Sequence, residues 1–159
     1  MFFLFLGILL SLYFYTSSGS DENKVIYRID SQDLNSFNTG LIALDIFLNN
    51  IIVGLLLSIF GFFSGGLLSI LILFWNGYLI GSIYIESWAN LSLNQIFYYS
   101  KHIPLELFAF VLFANFGLKG FVFYKKLFKY KIDIGLIPSY RCLILPTILL
   151  LIASIIEIL

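Results

Sequence analysis

Residues 41–62, LIALDIFLNNIIVGLLLSIFGF, and 67–87, LLSILILFWNGYLIGSIYIES, decide the fold. Roughly 20 apolar residues suffice to cross a bilayer as a helix, and each stretch reaches that length. Only Phe63-Ser-Gly-Gly66 separates them, so the two must fold back as a tight antiparallel helical hairpin. Asp45, Asn49, Asn50, Asn76 and Glu86 interrupt the apolar runs. Lipid gives such groups no water to bond, so each needs a protein partner or a hydrated cavity.

The rest of the chain reads the same way. Its 159 residues are 60% hydrophobic and 11% charged, whereas a soluble domain would carry far more charge. The predicted fold is all-α, a polytopic transmembrane bundle of about five spans forming a single integral membrane domain. Besides the hairpin, spans are expected over about 2–15, 103–123 and 142–159, with a short interfacial helix near 91–101 among Trp88, Phe97, Tyr98 and Tyr99. Residues 17–40 form a polar external link, in which Val25–Ile29 is either a short strand or a surface turn. The first span has no Lys or Arg before it, and Thr16-Ser-Ser-Gly19 only loosely imitates a cleavage site, so it reads as an uncleaved anchor. A net charge of zero gives nucleic-acid binding no support. The single cysteine, Cys142, is expected to pack as a small apolar residue.

Charge sets the expected orientation. Lys125, Lys126, Lys129, Lys131 and Arg141 fall between the last two spans, which makes that loop cytoplasmic. Alternation then puts the N-terminus inside and the C-terminus outside. It also brings Asp45, Glu86, His102, Glu106 and Glu157 to one external level. His102 and Glu106 stand one helical turn apart and can share a face and a hydrogen bond. Asn49, Asn50 and Asn76 lie deeper, where contacts between helices would satisfy their amides. Gly77 and Gly81 form a Gly-x-x-x-Gly pattern, Gly54, Ser58 and Gly61 offer small surfaces on a facing helix, and Gly117 and Gly120 mark another close-packing face.

The order Asn49-Asn50, Asn76-Gly77 with Gly81, His102 with Glu106, and Ala153 through Glu157 resembles the stage II sporulation protein M family over about 41–159. The family usually has Gly directly after the histidine, where this chain has Ile103-Pro104. The resemblance implies a polytopic protein of the bacterial cell membrane without catalytic activity or cofactor. Some members scaffold wall-remodelling enzymes during sporulation. Others are encoded beside ABC-transporter ATPases or in circular-bacteriocin gene sets. This short chain is closer to the compact peptide-export type, a subunit whose external carboxylates meet a cationic peptide beside a separate ABC ATPase.

Three other classes stay open at this point. A scaffold would recruit other membrane proteins through lipid-facing glycine surfaces and the basic loop. An intramembrane metal hydrolase would use His102, Glu106 and a further acid, but no His-Glu-x-x-His or Gly-x-Ser-x-Gly accompanies them, and no metal is expected. A transporter acting alone would need to dimerise, since five spans carry no inverted repeat.

Overall fold

The computed structural model describes residues 1–17, 36–129 and 139–159. Most of the 17–40 link, with Val25–Ile29, and Lys131 lie outside the described residues. The order is α1 (Phe2–Ser17), α2 (Ser36–Leu55), a π-helical turn (Leu56–Phe60), α3 (Gly61–Phe63), α4 (Leu67–Asn90), α5 (Leu93–Ser100), α6 (Ile103–Lys129), a 3₁₀ turn (Tyr140–Leu143) and α7 (Ile144–Ile158). Among the described residues, four stretches are long and apolar enough to cross a membrane: Gly40–Phe63, Leu67–Asn90, Ile103–Lys129 and Tyr140–Ile158. At about 1.5 Å per residue, α1 reaches about 24 Å, short of the roughly 30 Å hydrocarbon core. It is the shorter apolar fifth helix.

The hairpin forms as its sequence requires. Gly65 and Gly66 take φ of 64° and 88°, a region that glycine enters without a Cβ penalty. The Gly66 N–H donates to the Gly61 carbonyl at 2.7 Å and the Gly65 N–H to Phe62 at 3.1 Å, closing α3 with the bond pattern of a Schellman end. Ser64 Oγ then accepts from the Leu68 N–H at 3.0 Å, which serves one free donor at the start of α4.

Small residues let three helices converge just before that turn. Gly61, Ser69 and Gly117 are all buried, and a Cβ on Gly61 would lie 3.3 Å from Gly117 Cα. The π-helical turn falls at this crossing. Its Leu57 carbonyl accepts a hydrogen bond from Ser69 Oγ at 2.7 Å, a buried link from α4. Such an extra residue leaves backbone groups displaced from the regular ladder, and Ser69 supplies one with a partner. Further along, the wholly buried Phe113 ring fills the space that Gly54 leaves, at 2.6 Å from where a Cβ would stand. Leu57, Leu73, Ala109, Phe110, Phe113, Ala114 and Leu150 complete one core that also takes in Leu4 of α1.

Gly77 and Gly81 do not face α2, as the sequence suggested, nor do they lie open to recruit another protein. They are covered by α1. A Cβ on Gly77 would strike the Leu4 carbonyl, and one on Gly81 would strike Ser11 Oγ and approach Ile8 Cα to 3.1 Å. Gly7 meets Phe74 and Tyr78 reciprocally. This pairing of Leu4, Gly7 and Ser11 with Gly77 and Gly81 runs parallel, and backbones approach closely because both faces are small. Of the face expected at Asn115, Gly117 and Gly120, Gly120 packs on the Phe62 backbone and Gly117 on the Leu57 carbonyl, while Asn115 is exposed.

The basic segment also differs from expectation. Lys125, Lys126 and Lys129 belong to the last turns of α6 rather than to a loop, and all three are exposed. Cations there complement the partial negative charge of a helix C-terminus. Arg141 lies exposed in the 3₁₀ turn, and Cys142 beside it is exposed too, not packed as a small core residue.

Candidate functional site

The connection between α5 and α6 builds the site. Ser92 and Gln95 form a capping box that starts α5, with the Ser92 N–H donating to Gln95 Oε1 at 3.0 Å. Ile96 anchors α5 inward while Phe97, Tyr98 and Tyr99 stay exposed, as an interfacial aromatic helix should. The His102 carbonyl accepts from the Leu105 and Glu106 N–H groups at 3.0 and 3.2 Å, so His102 opens α6. Pro104 falls in the first turn, where its missing N–H costs nothing. Tyr98 Oη donates to the Leu159 carbonyl at 3.2 Å, which ties α5 to the end of α7 and brings Glu157 alongside. Lys101 Nζ lies 4.2 Å from the Tyr98 ring centroid and stays within this corner.

Three groups meet here. His102 Nε2 stands 3.8 Å from Glu157 Oε2, and ligand-type atoms of His102, Glu106 and Glu157 all lie within 4.8 Å of one another. Glu106 accepts a hydrogen bond from Asn50 Nδ2, which reaches across from α2. The hydrogen bond expected between His102 and Glu106 is therefore replaced by two separate pairings, Glu106 with Asn50 and His102 facing Glu157. The His102 side chain is 13% exposed and that of Glu157 33%. His102 Nδ1 is buried and has no hydrogen-bond partner. Burial lowers the imidazole pKa, Glu157 opposes that shift and Lys101 adds to it. The net effect is a lowered pKa, with burial outweighing the attraction of Glu157.

The other expected residues stay outside this cluster. Asp45, Asn49 and Glu86 are exposed. Asn76 donates to the Ile72 carbonyl of its own helix at 2.8 Å rather than across to a neighbour, which satisfies one donor locally. The adjacent Asn49 and Asn50 thus have opposite fates, because neighbours on a helix point about 100° apart.

Beside the cluster lies a feature that periodicity does not reveal. An open apolar cleft of about 670 Å³ runs between α1, α4 and the first turns of α6, lined among others by Leu12, Tyr84, Trp88, Ile103, Pro104 and Leu107. Ile103, Pro104 and Leu107 flank the same two turns that carry His102 and Glu106, so cleft and cluster occupy adjacent faces of α6. The spacing of Leu4, Gly7 and Ser11 along α1 was the one legible sign that this helix docks and so walls the cleft.

The arrangement offers carboxylate oxygens and an imidazole at the same end of α6 as an apolar trough. It can hold a cationic group or ion while packing apolar matter next to it. No curated protein and no solved structure matches the chain. One family model does match, that of stage II sporulation protein M, over residues 1–159. That match spans every helix described above and the ordered polar residues from Asn49 to Glu157, and by it the chain belongs to the stage II sporulation protein M family.

Proposed function

We propose that this protein is a non-catalytic membrane subunit of a complex that matures, exports or gives self-protection against a bacteriocin-like peptide, working with a separate ABC ATPase. One juxtaposition supports the reading. Glu106 and Glu157 gather at the end of α6 whose Ile103, Pro104 and Leu107 line a 670 Å³ apolar cleft, so one helix end offers both charge and apolar surface to an amphipathic cationic peptide. The cleft suits the apolar face of such a peptide, and charge attraction strengthens where water is excluded.

In this reading the His102 end faces outward and the N-terminus lies in the cytoplasm. α6 is 27 residues long, so Lys125, Lys126 and Lys129 stand about 35–40 Å from His102 at the opposite end. There they suit anionic inner-leaflet lipid or a cytoplasmic ATPase. The chain has no Walker motif, so ATP hydrolysis belongs to a partner.

The family membership supports a second reading, a scaffold that gathers wall-remodelling partners. One experiment separates the two. The double variant Glu106→Gln with Glu157→Gln should cut peptide secretion or producer immunity roughly tenfold, equivalent to about 1.4 kcal/mol of lost binding. Membrane levels of the variant should stay normal. Unchanged secretion and immunity would remove the peptide-handling reading and leave the scaffold.

A further inference from the structure

We propose that His102, Glu106 and Glu157 form a binding site for one divalent transition-metal ion of the zinc class. Zinc takes nitrogen and carboxylate oxygen ligands at about 2.0–2.2 Å, which sets neighbouring ligand atoms about 3–4 Å apart. Here one ligand atom from each residue lies within 4.8 Å of the others, and His102 Nε2 stands 3.8 Å from Glu157 Oε2. That distance is too long for a hydrogen bond and close to the separation two ligands of one ion adopt.

The donor set favours a transition metal. Calcium and magnesium take oxygen ligands, whereas an imidazole beside two carboxylates suits zinc. The His102 side chain is 13% exposed, so the imidazole is held largely out of water. Asn50 fixes the Glu106 carboxylate from outside the cluster, the part that supporting hydrogen bonds play around metal ligands. Glu157, one-third exposed, gives an entry path. Three protein ligands leave a fourth position open to water or to a donor from a bound molecule.

The inference does not rest on the peptide-handling reading, because it is measured on the protein alone. Its test uses the full chain, purified without a histidine tag, stripped of metal and reconstituted in lipid nanodiscs. Titration with Zn²⁺, and with Co²⁺ as a coloured substitute, should give one ion per chain and a visible Co²⁺ absorption. His102→Ala and, separately, Glu157→Gln should each weaken binding at least tenfold, while Cys142→Ser leaves it unchanged. Circular dichroism and size-exclusion profiles report folding; if His102→Ala does not assemble, Glu157→Gln at the partly exposed helix end decides alone. Sub-stoichiometric binding by the parent protein would overturn the proposal. So would binding that Glu157→Gln leaves intact, or loss of binding through Cys142→Ser.

Discussion

Gly117→Leu should leave little or no assembled protein. A Cβ at this position would strike the Leu57 carbonyl and Ser69 Oγ, and it would lie 3.2 Å from Gly61 Cα. Two of these three obstacles are backbone, so no side-chain rotation makes room. Leu57 is also the residue whose carbonyl accepts the buried Ser69 hydrogen bond inside the π-helical turn. A larger residue therefore separates α6 from both α2 and α4 at the crossing on which the core is built. Overpacking a core costs about 1–3 kcal/mol where neighbours can shift, and more where they cannot. Against total stabilities of about 5–15 kcal/mol, a loss above about 3 kcal/mol is enough to expose the chain to membrane proteases. Thermal unfolding in mild detergent, with steady-state membrane abundance, reads the effect. Normal abundance and melting would show that the three helices do not meet at Gly117.

Asn50→Leu and Asn49→Leu should part company. Asn50 Nδ2 donates to Glu106 from a partly buried position, and its removal leaves an acid among apolar helices without that partner. Interhelical hydrogen bonds in membranes are worth about 0.6 kcal/mol on average, up to about 1.7. Leaving a buried polar group unpaired costs about 1–3 kcal/mol. A destabilisation of about 1–2 kcal/mol is expected for Asn50→Leu, and under about 0.5 kcal/mol for the exposed Asn49→Leu. Pairing Asn50→Leu with Glu106→Gln should be less than additive, since both remove one interaction. Equal effects of the two asparagine variants would contradict the assignment.

These adjacent asparagines mark how far the sequence could be read. The spans and the hairpin were legible because length, hydropathy and Gly65-Gly66 leave a bilayer-crossing chain few alternatives. That His102, Glu106 and Glu157 share one end followed from alternation of the spans. Which of two neighbouring amides turns inward depends on helix rotation, and a uniformly apolar helix gives little phase information. The same lack of phase put Gly77 and Gly81 against the wrong partner. Small residues announce a close approach but not whose. Asn76 was expected to bridge helices, and instead it donates to the Ile72 carbonyl of its own helix, a choice that composition does not distinguish. The cleft arises only from the parallel docking of α1, which depends on Gly7 and Ser11 meeting the glycines of α4.

The central claim is that His102 and Glu157 face each other within one chain. A cysteine pair tests this, with His102→Cys and Glu157→Cys placed in the Cys142→Ser protein and treated in native membranes with a short bifunctional thiol reagent. The account predicts rapid cross-linking within single chains, seen as both thiols consumed and a mobility shift without dimer. A control pair of Glu157→Cys with Lys125→Cys, at opposite ends of the bundle, should not react. Both thiols remaining free in the first pair, or linking only between copies, would contradict the account.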